Sequence, residues 1–122
     1  MNSEKGNNSE IPARKKIAIH YCKELKIFDK EEIIYLEADG RYTKIHFKNM
    51  NPIICAKLLK NFESVLTMNF IRIHRSYIVN ISYITKLINY KIIELADGTK
   101  LPIARRRYKS IVKRISSNIE II

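Results

Sequence analysis

Apolar and polar residues alternate with period two along most of this chain, which predicts half-buried strands rather than helices. From Lys15 onward Ile17, Ile19 and Tyr21 alternate with smaller or polar partners, and Leu25 and Ile27 follow after a short break. "IIYLE", Ile33 to Glu37, is an apolar strand, and Asp39-Gly40 after it is a hairpin turn signal. In "RYTKIHF" the alternation puts Thr43, Ile45 and Phe47 on one face and Tyr42, Lys44 and His46 on the other. "KNMN" makes the next turn and "PIICA" the next strand. The period then changes: Leu58, Leu59, Phe62, Val65 and Leu66 recur at helical spacing in "KLLKNFESVL", a short amphipathic helix. Strands resume at "FIRI", "YIVNI", "YITKLI" and "KIIEL", and a second Asp-Gly, Asp97-Gly98, turns the chain into "TKLPI". The echo between "LEADGRYTKI" and "ELADGTKLPI" marks two similar hairpins. The last element is helical, with Ala104, Tyr108, Ile111, Val112 and Ile115 on one stripe and Arg105, Arg106, Lys109 and Lys113 round the other side. The sum is a mainly β chain of short strands with two short helices.

Length adds one domain, folded over 13–122, behind a polar segment 1–12, "MNSEKGNNSEIP", that is expected to be flexible. No secretory leader is expected, because the start is polar through Glu10, and no apolar run approaches the ~18 residues of a membrane span. A cytoplasmic protein without a membrane partner is the expectation. Cys22 and Cys55 follow no metal or redox spacing and, set among apolar neighbours, are expected to be buried thiols.

Charge changes the picture more. Twenty-three Lys and Arg against twelve Asp and Glu leave a net +11. Residues 1–61 carry twelve basic and eight acidic groups, residues 62–122 eleven and four, and from Gly98 to Arg114 there are seven cations and no acid. Such clustering points to a binding face for a polyanion, whose counterions are released on binding. With no pair of adjacent helices, a helix-turn-helix reader is excluded, so recognition must come from loops, strand ends and the start of a helix.

Catalysis has little support. Gly6, Gly40 and Gly98 are the only glycines, too few for a phosphate-binding loop, and His20, His46 and His74 are separated by whole strands with no metal-ligand spacing. No nucleophile elbow or paired-carboxylate motif appears. The expectation is a non-enzymatic chain with no cofactor, no metal and no small-molecule substrate.

The strand pattern breaks once, in "FIRIHRSYIVN", where Arg72, His74, Arg75 and Ser76 interrupt apolar residues. His74, Arg75 and Ser76 read as a polar loop between two strands. Arg can fork onto a guanine edge, and His or Ser can reach a phosphate or a base. The alternative is that His74 caps a turn and Arg75 sits in water. Lys44, Lys109 and Lys113 are candidate phosphate contacts.

Three blocks, "IIYLEADGRYTKIHF", "FIRIHRSYIVNISYI" and "DGTKLPIARRRYKSI", resemble in order and separation the LytTR family of bacterial DNA-binding domains, over roughly Lys15 to Ile115. The resemblance implies a predominantly β fold of short antiparallel sheets. It also implies transcriptional regulation, with loops entering the major groove of double-stranded DNA at promoter repeats and two copies meeting on DNA. Position by position it implies DNA contacts at Tyr42, at His74, Arg75 and Ser76, and at Arg105 and Arg106. Where the family has Ser before those arginines this chain has Ala104, which removes a hydroxyl able to cap the helix or touch a phosphate. Family members usually carry an upstream phospho-accepting receiver domain. No such pattern occurs here, as suits either a stand-alone regulator or an excised DNA-binding domain. Two other readings fit the charge: a basic RNA-binding module, though no aromatic-rich stacking strand is present, and a protein-interaction module for an acidic partner, which would need only net charge.

Overall fold

Two turn signals and a change of period cut the chain into elements as the sequence predicts. The structure is a computed structural model that describes residues 14–122. The flexible segment expected over 1–12 lies outside the described residues. The strands are β1 (Lys16–Tyr21), β2 (Glu24–Asp29), β3 (Ile33–Asp39), β4 (Tyr42–Phe47), β5 (Ile53–Cys55), β6 (Phe70–His74), β7 (Tyr77–Asn80), β8 (Ile84–Ile88), β9 (Ile92–Leu95) and β10 (Lys100–Pro102). Helix α1 (Leu59–Glu63) follows β5, and α2 (Tyr108–Ser116) ends the described elements. The fold is mainly β, in short antiparallel sheets with two short helices, as expected.

A five-stranded sheet in the order β5-β4-β3-β7-β6 forms the centre, beside a three-stranded sheet β10-β9-β8 and a two-stranded ribbon β1-β2. Both faces of the central sheet are covered. Ile33, Leu36, Ile45 and Ile78 pack on one side with Ile17 and Ile19 of β1 and Leu59 and Phe62 of α1. Ile34, Ile73 and Val79 pack on the other with Ile93, Leu95 and Leu101 of the second sheet and Ile111 of α2. This is why "IIYLE" and "YIVN" are apolar at consecutive positions: a strand covered on both sides buries both sets of side chains.

The two Asp-Gly signals make the turns they predict. Gly40 takes φ +60° between β3 and β4, and Gly98 takes φ +89° between β9 and β10, left-handed backbone that a side chain would strain. On β4, Thr43, Ile45 and Phe47 are buried while Tyr42, Lys44 and His46 are exposed or half-buried, the phase the alternation gives. Buried Asn80 closes the end of β7. Its amide donates to the carbonyl of Ile33 at 2.9 Å and accepts from Asn69 at 2.8 Å and from the Ser82 N–H at 3.0 Å.

Four expectations are corrected. Cys22 is exposed, not buried, because it opens the β1–β2 turn, where Cys22 and Lys23 take φ 53° and 64° and point their side chains to water; Cys55 is buried as expected. Leu58 and Val65 lie outside the helix and are exposed. Leu58 is still extended (φ −72°, ψ 151°) and α1 ends at Glu63, leaving Leu59, Phe62 and Leu66 to carry the burial. The segment Arg105–Arg107 is a 3-10 turn, so the terminal α-helix begins at Tyr108. His74 belongs to β6, so the loop around it shrinks to a two-residue turn, Arg75-Ser76. Its longer appearance came from a bulge in the ladder, where Arg72 pairs with Ile78 and His74 with Tyr77.

Candidate nucleic-acid interface

The polar break at the end of β6 is held in place from below. The Arg72 side chain is mostly buried, and its guanidinium donates Nε to the carbonyl of His74 at 2.9 Å, Nη2 to the carbonyl of Arg75, and Nη1 to Glu63 of α1 at 2.8 Å. Five N–H donors in a rigid fork suit this task, which an ammonium could not perform. His74 is half-buried. Its Nδ1 accepts the Ser76 N–H at 3.1 Å, which places the ring proton on Nε2 and leaves that N–H as its remaining donor. His74 therefore caps the turn, while Arg75 at the tip is exposed.

Two backbone hydrogen bonds bring the other predicted segments to this turn. The Ala38 N–H donates to the carbonyl of Ser76 at 2.8 Å, joining the β3–β4 hairpin to the β6–β7 hairpin. The Ala104 N–H donates to the carbonyl of Ile73 at 2.8 Å, joining the lead-in of the last helix to the end of β6. Between β3 and β7 the ladder pairs Glu37 with Tyr77. Continuing that register by two residues puts Asp39 beside Arg75, and Asp39 itself pairs with Tyr42. Tyr42, 50% exposed, thus stands on the same end of the sheet as the Arg75 turn, across β3 from it. An aromatic row runs beneath them across four strands: His46 stacks on Tyr35 at 4.0 Å, Tyr35 lies 6.3 Å from Tyr77, and Tyr77 lies 5.8 Å from His74. Burial first, then the Glu37 charge, pushes the Tyr35 hydroxyl up to about 12. Glu37 also meets His46 Nε2 at 2.9 Å.

The remaining candidates sort by exposure. Arg105 and Arg106 are exposed on the 3-10 turn, and Lys109 and Lys113 are exposed on α2, while Lys44 is half-buried across from Glu37. Ala104 makes no side-chain cap, and the Arg107 N–H instead bonds its carbonyl at 2.9 Å. The Ser76 hydroxyl is half-buried beside the turn. Tyr42, His74, Arg75, Ser76, Arg105 and Arg106 therefore converge at one end of the central sheet. Lys109 and Lys113 continue from it along α2.

Comparison with known proteins places the chain in a family. The profile described as "LytTr DNA-binding domain" matches residues 23–116. The chain belongs to the LytTr DNA-binding domain family. Among curated relatives, the sensory transduction protein LytT of Oceanobacillus iheyensis is 31% identical over 109 residues, covering 82% of this chain and 44% of that protein. LytT of Bacillus subtilis is 26% identical over 103 residues, covering 80% and 42%. The chain spans less than half the length of these relatives. A solved LytTr domain of a putative methyl-accepting/DNA response regulator from Bacillus cereus superposes with a TM-score of 0.67 at 21% identity, over 84% of this chain and 96% of that one; it shares the fold.

Two further side chains of this LytTr domain, neither of them a candidate contact from sequence, bear on the surface. Arg41, exposed at the β3–β4 turn, sits next to Tyr42. Arg72 braces the Arg75 turn. The signal for Arg72 was its place in the polar break, but its partners, two carbonyls and a carboxylate on α1, exist only in the folded chain. Arg72→Met should lower stability by about 1–2 kcal/mol, through lost charge-assisted hydrogen bonds. It should also speed hydrogen exchange at the Ala38 amide, which donates to the Ser76 carbonyl, because the neighbouring His74 and Arg75 carbonyls of the same turn lose their brace. Unchanged protection at Ala38 would show that the turn does not depend on this brace.

Proposed function

We propose that residues 13–122 form a sequence-specific double-stranded DNA-binding domain that serves bacterial transcriptional regulation in the cytoplasm. The observation that carries this is the convergence of three segments, the β3–β4 turn, the Arg75-Ser76 turn and the Arg105–Arg107 turn, through the Ala38–Ser76 and Ala104–Ile73 hydrogen bonds. Turns set on a rigid sheet can enter a major groove, where guanine offers two acceptors to an arginine fork. In this reading Arg75 and Arg105 read bases, with Arg106 beside them and Tyr42 at the edge of the footprint. His74 offers its Nε2–H, and Ser76 its hydroxyl, to bases or phosphates. Lys44, Lys109 and Lys113 neutralise phosphates, and two copies of the chain occupy repeated half-sites in a promoter.

The test is selection of bound duplexes from a random pool, followed by gel shifts of the 122-residue chain on the selected duplex, a scrambled duplex and a structured RNA. A recovered consensus, with binding to it stronger than to either competitor, is expected. RNA winning at matched salt, or no duplex binding at low salt, would overturn the proposal. Affinity should fall log-linearly with salt. Lys109→Ala, Lys113→Ala and Lys44→Ala should each weaken binding to selected and scrambled duplex alike, with a salt slope shallower by about one unit. A loss confined to the selected duplex would make that lysine a base reader.

A further inference from the structure

Behind the Arg75 turn, a groove of about 380 Å³ opens between α1, β6 and α2. Three guanidiniums line it, from Arg72, Arg107 and Arg114, against one carboxylate, Glu63. Arg72 and Glu63 neutralise each other at 2.8 Å. Arg114 spends Nη2 on the carbonyls of Thr67, Met68 and Phe70 at 2.7, 2.7 and 3.1 Å, which anchors its chain, and it has no carboxylate partner among the described residues. Arg107 is different. Its Nε is buried, and among the described residues it has no hydrogen-bond partner. A sealed donor on a charged group is costly, and in folded proteins such a donor is normally met by a partner, a water or an ion.

We propose that this groove is a binding site for a phosphate group. Two positive charges without a carboxylate match a dianion better than a single carboxylate. A tetrahedral oxyanion presents two oxygens to the guanidinium fork, so that Nε–H and an Nη–H of Arg107 are taken side by side once the side chain turns into the groove. Arg114 lies on the same wall to share the charge. The groove is larger than one phosphate, so the group enters with a substituent attached, either the backbone of bound duplex or a free phosphomonoester. The site stands on the arginines alone and does not depend on how the DNA is read.

The experiment follows the arginine Nε–H resonances of the 122-residue chain by nitrogen-15 NMR, while sodium phosphate is titrated against sodium chloride at equal ionic strength. The Arg107 signal should shift saturably and exchange more slowly with water, the exposed Arg105 and Arg106 signals should not follow it, and Arg107→Gln should abolish the saturable response of the Arg114 signal. No saturable shift at Arg107, or the same response at every arginine, would overturn the site. The wild-type titration decides even if Arg107→Gln does not fold. A second arm separates the sources. Phosphate that weakens duplex binding several-fold more than chloride of equal ionic strength identifies the backbone as occupant. Saturable Arg107 binding with unchanged duplex affinity identifies a free phosphomonoester, and either result keeps the site.

Discussion

Replacing Ile73 with alanine is expected to lower stability by ~2–5 kcal/mol, the cost of a cavity in a core that cannot collapse around it. Ile73 is fully buried on β6, where it belongs to the cluster that joins the central sheet to the second sheet and α2. Its carbonyl also receives the Ala104 N–H, a backbone bond that survives the substitution. The melting temperature should therefore fall by on the order of 10 °C or more, while the chain still folds below it. Ile73→Val removes one methylene and should cost only ~0.5–1.5 kcal/mol. An alanine variant that melts with the wild type would mean that β6 is out of phase with the core described above.

Arg75→Ala and Arg105→Ala are expected to act on recognition and leave folding alone. Both side chains are exposed, and neither takes part in an ion pair among the described residues. If each forks onto a guanine edge, its removal costs ~1–3 kcal/mol on the selected duplex, roughly a 5- to 150-fold loss. Binding to scrambled duplex should fall far less, since that binding is owed to net charge. The measurement is paired, thermal melting together with affinity for selected and scrambled duplex. Should both variants keep the wild-type ratio of the two affinities, the readers are elsewhere, and Arg106 and Arg41 are next to be changed.

Local chemistry made much of this architecture legible. Period-two alternation located strands such as β1 and β4, of which one face meets a core, and consecutive apolar residues located β3 and β7, covered on both faces. The Asp-Gly pairs located two turns because glycine adopts left-handed backbone without strain. Turns lacking glycine were harder. The β1–β2 turn at Cys22-Lys23 and the β8–β9 turn at Asn89-Tyr90 use positive φ without glycine, and of the four residues only Asn89 favours it. The first of these misplaced Cys22 as a buried thiol. Helix limits were also hard to read, because Leu58 and Val65 fit the helical spacing while the chain has not yet entered the helix at Leu58 and has left it by Val65.

By itself, the sequence determined the mainly β class, the phase of β4, and the basic, acid-free run that ends in α2. All of these follow from spacing or charge within a few residues. Only the tertiary structure decided that the three basic or polar segments share one end of the sheet. That depends on the strand order β4-β3-β7-β6 and on two hydrogen bonds between residues far apart in the chain, Ala104 to Ile73 and Ala38 to Ser76. Only the fold, likewise, could show that Arg72 faces inward to brace a turn while Arg75, three residues later, faces out. The bulge between Arg72 and His74 shifts the ladder register there, and pairing with a distant strand is not written in local alternation.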